Sequence, residues 1–507
     1  MTEPPAVHRW IKVLDQSRCI GCHACTTACR SENEVPLGVT RTYVKSVDVG
    51  VFPQVRRAFQ VTRCNQCQDA PCVTACPTEA MYRRPDGLVD FDKSVCIGCK
   101  ACIAACPYDA IFINPEDHSA EKCNFCAHRL DVGLEPACVS VCPTEAILIG
   151  DLGDPSSKAA RIVQREPVAV RRPEKETRPG VFYRGAHQAT LDPLGAERPP
   201  GGLLAWATQP NGGTWVPGGA AHGRNSSAAA LLSYDIPHQA PWGWRVSLYT
   251  WTKSIATGAM LANLLLLLFS GAAWSAAIAR YVAPLIALGL LAGTGLLLIW
   301  DLKHPLRFPL IFLRHQWRSW LVRGSIALLA YGIVVLLALI GGALDQRPLQ
   351  QVTSVLAVPL AVVTACYTAY LFAQAKARDL WQSPLLPPHL FVQAVLAGAA
   401  ALLPWAAATG ESRATFLLQL MVAAAAAAHL LLVLGETTLT HGTAHAEMAV
   451  QDLLHGGTAP FFWASTALLL VAVASPWLGI VGCPLALLGL LAYEHAYVRA
   501  GQSVPLA

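Results

Sequence analysis

The chain divides near residue 245 into two halves with different hydrophobic patterns. In the second half, apolar residues form long runs with few charges, and about 20 such residues let an α-helix cross the hydrocarbon core of a bilayer. Eight runs are of this kind, at approximately 249–271, 279–301, 321–344, 353–375, 388–408, 414–436, 460–478 and 480–498. Residues 246–500 are therefore predicted to form an all-α, eight-helix transmembrane domain, followed by a short tail at 501–507.

The first 150 residues contain only short apolar stretches, separated by glycine, proline and cysteine. Stretches such as 88–91 and 110–113 predict short strands. Three related segments recur in register, CPTEAM at 76–81, CPYDAI at 106–111 and CPTEAI at 142–147. This internal repeat predicts a duplicated α+β unit over 1–150, so the whole chain is multidomain.

Residues 151–245 are rich in proline and glycine and have little apolar periodicity, which predicts an irregular connector. Only VFYRG at 181–185 suggests an edge strand or packing against the first domain. The basic residues of the connector fit anionic lipid headgroups, a partner subunit or a solvated linker equally well. These residues are Arg161, Arg165, Arg171, Arg172, Lys175, Arg178 and Arg184.

Composition agrees with a membrane protein. Hydrophobic residues make up 53% of the 507 residues and charged residues only 14%. A net charge of +5 is small for this length and gives no indication of nucleic-acid binding. The N-terminal stretch MTEPPAVHRWIKVLDQSRC has no apolar core region and no twin-arginine pair, so we expect no signal peptide.

Sixteen of the eighteen cysteines lie in the first 142 residues and fall into four quartets. The spacing C-x2-C-x2-C-x3-C-P is typical of bacterial [4Fe–4S] proteins, in which the fourth cysteine binds the other cluster of a pair. This cysteine spacing is too dense and too regular for a disulfide framework or for paired zinc sites. Because iron–sulfur clusters are assembled on reduced thiols, the spacing also indicates a cytoplasmic location. The quartets are Cys19, Cys22, Cys25, Cys29; Cys64, Cys67, Cys72, Cys76; Cys96, Cys99, Cys102, Cys106; and Cys123, Cys126, Cys138, Cys142. The two remaining cysteines, Cys366 and Cys483, lie in apolar stretches and are expected to be buried small hydrophobic residues.

Residues 10–150 resemble the four-cluster electron-transfer subunits of complex iron–sulfur molybdoenzymes, such as dimethyl sulfoxide, polysulfide and nitrate reductases. The resemblance includes the C-x2-C-x4-C spacing of the second run and the x11 gap of the fourth. It implies a duplicated bacterial-ferredoxin fold with four [4Fe–4S] clusters, the first nearest a catalytic subunit and the last nearest the membrane. The implied ligand sets are Cys19, Cys22, Cys25, Cys142; Cys123, Cys126, Cys138, Cys29; Cys64, Cys67, Cys72, Cys106; and Cys96, Cys99, Cys102, Cys76.

Basic residues in the loops predict how the second half is oriented. Loops on the side of the cysteine-rich half contain eight Lys or Arg, against three on the other side, Arg280, Arg347 and Arg413. This asymmetry places the cysteine-rich half in the cytoplasm and the helices in the inner (cytoplasmic) membrane of a prokaryote. The eight are Lys303, Arg307, Arg314, Arg318, Arg323, Lys376, Arg378 and Arg499.

The segments WDLKHP, SWLVRGS, AKARDLWQSPLLP and AYEHAYVRAGQSVP resemble the eight-helix quinone-reactive anchors of polysulfide and dimethyl sulfoxide reductases. The resemblance implies two four-helix bundles, a quinone site in the first bundle and no haem. Tyr367 matches a family tyrosine that can bond a quinone carbonyl, and Lys253 lies near a polar first-helix position. Quinol oxidation also releases protons, for which Asp301 and His304 are candidate acceptors, although an Asp–Arg structural pair fits Asp301 equally well.

Together these features predict an electron-transfer and membrane-anchor subunit that links a molybdopterin (Mo or W) catalytic partner to the quinone pool. One alternative is a redox-driven proton-translocating module that uses Glu411, His429, Glu436 and Glu494. Another is a stand-alone quinone-linked ferredoxin oxidoreductase. The sequence also allows a haem held by His429 and His495, but we do not expect one.

Overall fold

The computed structural model describes residues 8–198, 229–271 and 276–507. The cysteine-rich half forms an α+β domain, called the cluster domain below, made of short elements. Its strands are β1 Trp10–Asp15, β2 Thr42–Val51, β3 Gln54–Arg63, β4 Met81–Arg83, β5 Val89–Phe91, β6 Ile111–Ile113, β7 Ala120–Lys122, β8 Ile147–Asp151, β9 Val168–Ala169, β10 Val181–Arg184 and β11 Ala230–Tyr234. Its helices are α1 Ala24–Glu32, α2 Pro71–Ala75, α3 Ala101–Ala105, α4 Ala127–Leu130, α5 Ala137–Ser140, α6 Lys158–Arg165 and α7 Gln188–Leu191.

Four small sheets organise the cluster domain. The largest has the order β8-β1-β10-β9, in which β1 is antiparallel to β8 and parallel to β10. The second has the order β11-β2-β3. The hairpins β4-β5 and β6-β7 follow the second and third cysteine runs, where the sequence predicted strands at 88–91 and 110–113. The duplicated unit seen in the sequence is therefore visible as two equivalent hairpins.

The expectation of an irregular connector over 151–245 was wrong for its described part. Strand β10 at Val181–Arg184 lies inside the first sheet rather than at its edge, and β11 joins β2. Several of the basic residues pair with acidic residues elsewhere in the protein: Arg178 with Asp69, Lys175 with Asp379 and Arg184 with Asp15. The periodicity is weak because these elements are two to eight residues long, too short to repeat a pattern. Residues 199–228 lie outside the described residues.

The second half is helical, as predicted. Its helices are α8 Trp244–Phe269, α9 Ala283–Asp301, α10 Leu310–Leu313, α11 Trp320–Ala343, α12 Arg347–Ala373, α13 Leu386–Ala408, α14 Ser412–Thr438, α15 Ala444–His455, α16 Ala459–Ala472, α17 Ser475–Leu478 and α18 Gly482–Ser503. Within the described residues, seven spans are long and apolar enough to cross a bilayer, or eight if α15 and α16, which meet at a 70° bend, form one. The predicted seventh span at 460–478 corresponds to the short α16. Both ends of the helical half reach the cluster domain. Trp242 Nε1, just before α8, donates to the carbonyl oxygen of Cys99 at 3.4 Å, and Arg171 Nη2 donates to that of Leu506 at 3.1 Å.

Helix α8 is the centre of the helical half. It contacts α9 and α12 on one side and α13 and α18 on the other. Backbones meet directly where α8 crosses α13, because a Cβ on Gly258 would lie 1.7 Å from the carbonyl oxygen of Ala394. A Cβ on Gly398 would likewise lie 1.9 Å from the carbonyl carbon of Gly258. Small residues of this kind allow close helix packing in membranes.

We expect Gly258→Ala to destabilise the helical half, because the added methyl group must push α8 and α13 apart. Overpacking of this kind costs roughly 1–3 kcal/mol. The measurement is the unfolding temperature of the purified protein in detergent, followed by tryptophan fluorescence. Gly289→Ala on α9 is the matched control, since a Cβ there meets no heavy atom within 4 Å. Equal unfolding temperatures for the two variants would contradict the crossing.

Candidate iron–sulfur centres and membrane site

The C-x-x-C motif that opens each of the four cysteine runs forms the same backbone turn. The third residue of each motif has a positive φ, at Gly21 (69°), Gln66 (46°), Gly98 (67°) and Phe125 (59°). Glycine adopts this conformation without strain, and two of the four motifs contain it. The turn gathers the cysteines of each run on one side, as a bound cluster requires.

The CP-x-[ED]-A repeat also has a structural reason. Its acidic residue has a positive φ at Glu79 (57°), Asp109 (48°) and Glu145 (49°). The turn directs a backbone N–H back at the preceding thiol: Met81 N donates to Cys76 Sγ at 3.4 Å. Ala146 N donates to Cys142 Sγ in the same way, at 3.2 Å. Such bonds to cluster sulfurs are one means by which proteins set reduction potentials.

Three cavities in the cluster domain are each lined by four cysteines drawn from two runs. The sets are Cys19, Cys22, Cys25, Cys142; Cys29, Cys123, Cys126, Cys138; and Cys76, Cys96, Cys99, Cys102. The other four thiols, Cys64, Cys67, Cys72 and Cys106, are all buried. Burial and the neighbouring Cys64 and Cys72 thiols raise the pKa of Cys106 to about 12, so Cys106 binds as a thiolate only when a cation compensates its charge.

Two cations face the cavity of Cys29, Cys123, Cys126 and Cys138. Lys12 Nζ donates to Cys138 Sγ at 3.3 Å, and Arg63 Nη1 donates to it at 3.1 Å. Burial raises the pKa of Cys138, but the two cations outweigh it and lower the pKa to about 7. Arg63 is 1% exposed, and its Nε and Nη2 have no hydrogen-bond partner among the described residues. Buried unpaired donors beside four thiols fit an anionic iron–sulfur cluster.

The loop between α9 and α11, residues 302–319, lies directly on the cavity of Cys76, Cys96, Cys99 and Cys102. His304 N donates to the carbonyl oxygen of Ile97 at 3.1 Å, and Lys303 N donates to that of Gly98 at 3.4 Å. Arg307 Nη1 donates to the carbonyl oxygen of Cys96 at 2.9 Å. Ser319 Oγ donates to that of Ala75 at 2.9 Å. This quartet is therefore the one attached to the membrane helices.

Asp301 and His304, predicted near a quinone site, lie in this domain contact. Asp301 pairs with Lys100 of the cluster domain at 2.9 Å and approaches Arg245 at 3.9 Å. His304 Nε2 is 3.3 Å from Ser119 Oγ. The structure thus brings both residues to the fourth quartet and gives them partners there.

Lys253 and Tyr367 are brought together inside the helical half. Lys253 is fully buried, and its Nζ donates to the carbonyl oxygen of Ala365 at 2.9 Å and to Thr368 Oγ1 at 2.5 Å. The same Nζ lies 4.9 Å from the centre of the Tyr367 ring. Gly324 on α11 makes room for that ring, since a Cβ there would lie 2.1 Å from it. The site is thus shared by α8, α11 and α12.

A buried polar network lies on α13, α14 and α18; the sequence analysis named its members His429 and Glu436 but missed His389 and Tyr493. His389 Nε2 and His429 Nδ1 are 2.8 Å apart, and His389 Nδ1 is 3.5 Å from Glu436 Oε2. Tyr493 donates to the same Glu436 oxygen at 3.0 Å. An ionisable group within an apolar span was the available signal, and His389 in LPPHLFVQ carries it. The adjacent Glu494 is buried near Lys253.

The two histidines of the haem alternative are not brought together. His429 is hydrogen-bonded to His389, and that 2.8 Å separation leaves no room for an iron between the two rings. His495 instead contacts Ser247 Oγ at 3.4 Å and the ring of Phe461.

Comparison with known proteins agrees with this division. The family model described as "Polysulphide reductase, NrfD" matches residues 234–503, just over half of the chain. A "4Fe-4S dicluster domain" matches 55–152, and a "4Fe-4S binding domain" matches 16–34. Similar curated proteins include a tetrathionate reductase subunit of Salmonella typhimurium, 43% identical over 37% of this chain and 76% of that protein. A polysulfide reductase subunit of Wolinella succinogenes is 43% identical, and the match covers 34% of this chain and 91% of that protein. The arsenate respiratory reductase iron-sulfur subunit of Shewanella sp. is 36% identical, and the match covers 34% of this chain and 94% of that protein.

We expect Arg63→Leu to lower the reduction potential of one cluster, because a cation beside Cys138 favours the more negative reduced state. If the cation favours the reduced over the oxidised cluster tenfold, its loss lowers the reduction potential by about 59 mV for a one-electron couple. Potentiometric titration followed by electron paramagnetic resonance measures the change. Arg63→Lys keeps the charge and should restore most of the potential. Arg57→Leu, on the same strand but in an exposed pair with Asp48, is the control. Unchanged potentials in Arg63→Leu would contradict the assignment.

Proposed function

The protein belongs to the polysulphide reductase NrfD family, and from this premise we propose that it relays electrons through four [4Fe–4S] clusters between a molybdopterin catalytic subunit and membrane quinone. Its place as an iron–sulfur electron-transfer and membrane-anchor subunit of an oxidoreductase complex follows from the ferredoxin-type and NrfD matches and from the subunit relatives. The observation that carries the proposal is the loop 302–319, which holds a cysteine quartet against the helices that contain Lys253 and Tyr367.

The proposed ligand sets are those implied by the sequence: Cys19, Cys22, Cys25, Cys142; Cys29, Cys123, Cys126, Cys138; Cys64, Cys67, Cys72, Cys106; and Cys76, Cys96, Cys99, Cys102. The shared cavities and the mutual burial of the thiols support them. When bound, the clusters supply one-electron transfer. Backbone N–H groups donate to thiols of three sets, at Cys64, Cys76, Cys96 and Cys142, and at Cys138 the protein adds the cations Lys12 and Arg63.

The catalytic partner is proposed to dock at the opposite end of the row of clusters, beside Cys19, Cys22, Cys25 and Cys142. Cys22 is exposed there, and Ile20 next to it is 57% exposed. The membrane-side quartet is instead covered by residues 302–319. The relatives are subunits of tetrathionate, polysulfide and arsenate reductases, which supports a separate catalytic subunit carrying Mo or W.

The helical half is proposed to form two four-helix bundles, with the quinone site in the first. Helices α8, α9, α11 and α12 contact one another in a ring, as do α13, α14, α16 and α18. A lysine ammonium has three N–H donors, and Lys253 uses two of them on Ala365 and Thr368. We propose that the third N–H binds a quinone oxygen beside the Tyr367 ring. The contacts of Asp301 and His304 favour a docking role over the proton-acceptor role suggested by the sequence.

The cluster domain is proposed to face the cytoplasm, because basic residues are concentrated in the loops on its side of the helices. An active site in the cytoplasm suits an oxidation whose electrons pass to quinone. Loops on the opposite side contain only Arg280, Arg347 and Arg413.

A second candidate function is redox-driven proton translocation. The observation that favours it is the buried network of His389, His429, Glu436 and Tyr493, which lies beside Glu494 and therefore near Lys253. Proton relays through membranes are built from such ionisable chains. Glu411, the fourth residue of the sequence proposal, is partly exposed at the start of α14 on the far side.

Purification in mild detergent with metal analysis tests the proposed function. We expect about sixteen Fe per polypeptide, from four Fe in each of four clusters, together with a large co-purifying subunit that contains Mo or W. Sixteen Fe without a partner would support the stand-alone ferredoxin oxidoreductase instead. About twelve Fe or fewer in an anaerobically prepared complex would contradict four clusters.

We expect Lys253→Met to weaken binding of a short-chain quinone by about tenfold, the equivalent of one charge-assisted hydrogen bond. Methionine keeps the length and apolar stem, so the helices stay packed. The measurement is a quinone titration of the purified complex by isothermal calorimetry. Arg347→Gln, at the opposite end of α12, is the control. Equal affinities for Lys253→Met and wild type would place the quinone elsewhere.

A further inference from the structure

A cavity that the proposed electron path does not use lies where the cluster domain meets the membrane helices. Its volume is about 440 Å³, and it opens between α2 of the cluster domain and the adjoining ends of α11 and α12. Helix α11 begins at Trp320 and α12 ends at Ala373, so the cavity lies at the level where the spans leave the bilayer. Val73 and Thr74, between Cys72 and Cys76, form part of its wall.

One wall of the cavity is aromatic. The rings of Trp320 and Tyr370 stack with their centres 4.5 Å apart and an angle of 16° between their planes. Gln374 fixes this wall, because its Oε1 accepts from Trp320 N at 2.9 Å and its Nε2 donates to the carbonyl oxygen of Arg318 at 3.1 Å. Tryptophan and tyrosine concentrate at the headgroup level of membranes, where one side of the ring is apolar and the other is wet.

The rim of the cavity is positively charged. Arg318 and Lys376 are exposed, and neither forms an ion pair within the described residues. The carboxylate at the rim, Asp69, is already bound by both arms of Arg178. Arg83 is also occupied, since its guanidinium donates to the carbonyl oxygens of Cys67, Gln68 and Gly87. Arg318 and Lys376 therefore remain to receive an anion.

An apolar surface continues from the cavity along α12. Tyr370, Val363, Leu356 and Val352 lie on one face of this helix and are 44%, 52%, 51% and 58% exposed. A ligand that combines an anionic group with long hydrocarbon chains matches this order of surfaces. A neutral quinone ring would leave the two cations without a counter-charge.

We propose that this cavity binds the phosphate of an anionic phospholipid, with Arg318 and Lys376 on the phosphate and the acyl chains along the exposed face of α12. The lipid would then bridge the cluster domain and the membrane helices beside Cys72 and Cys76. Phosphate chemistry alone would also suit a free phosphate ion, so the test separates the two sources.

Native mass spectrometry of the delipidated complex tests the proposal. We expect phosphatidylglycerol to bind more tightly than phosphatidylcholine, and 10 mM inorganic phosphate to leave its binding unchanged. Arg318→Gln and Lys376→Gln should each weaken phosphatidylglycerol binding about fivefold, the usual effect of one basic residue at a lipid surface. Both side chains are exposed, so neither change endangers folding. Arg314→Gln, an exposed arginine on the same loop outside the cavity, is the matched control.

Three results would overturn the proposal. Displacement of phosphatidylglycerol by inorganic phosphate would indicate a free-phosphate site. Displacement by a short-chain quinone would make the cavity a quinone site. Equal binding by wild type, Arg318→Gln and Lys376→Gln would show that the two cations receive no phosphate.

Discussion

Backbone hydrogen bonds between the loop 302–319 and the turn Cys96–Cys99, which opens the third cysteine run, hold the two halves of the protein together. They use the carbonyl oxygens of Ile97 and Gly98, which are available because the left-handed turn at Gly98 exposes them. A Cβ at Gly98 would lie 2.4 Å from the Cβ of Lys303, so only glycine allows the approach. The partly buried ion pair of Lys100 and Asp301 then fixes the orientation of the two halves. Every proposed step between clusters and membrane depends on this contact.

Buried charge is handled differently in the two halves. In the cluster domain, sixteen thiols are packed at a cost that bound iron must offset, and Lys12 and Arg63 mark one place where the protein also contributes positive charge. Among the helices, Lys253 is held by a carbonyl and a hydroxyl, and His389 by His429 and Glu436. Ionisable groups are costly in a bilayer. They are concentrated on α8, α13, α14 and α18, whereas the membrane-spanning part of α9 is apolar.

The sequence could predict what depends on local spacing. The cysteine quartets, the CP-x-[ED]-A turns and most of the spans follow from residues a few positions apart. It could not predict contacts between distant residues. Lys100 and Asp301 are 201 positions apart, and β10 joins β1 from within a segment whose composition indicated a linker. His389 was overlooked because its partner, His429, lies 40 positions away on another helix. Lys253 and Tyr367 were both expected at the quinone site, but their 4.9 Å approach depends on how α8 packs against α12, which local spacing does not encode.

One polypeptide is proposed to join iron–sulfur clusters to membrane quinone. The most direct measurement is a single-turnover reaction: the complex is embedded in lipid nanodiscs, its clusters are reduced with dithionite, excess reductant is removed, and oxidised short-chain quinone is mixed in anaerobically. Loss of the cluster electron paramagnetic resonance signals, with matching formation of quinol, is the predicted result. Clusters that stay reduced in the presence of quinone, yet reoxidise with ferricyanide, would contradict the account.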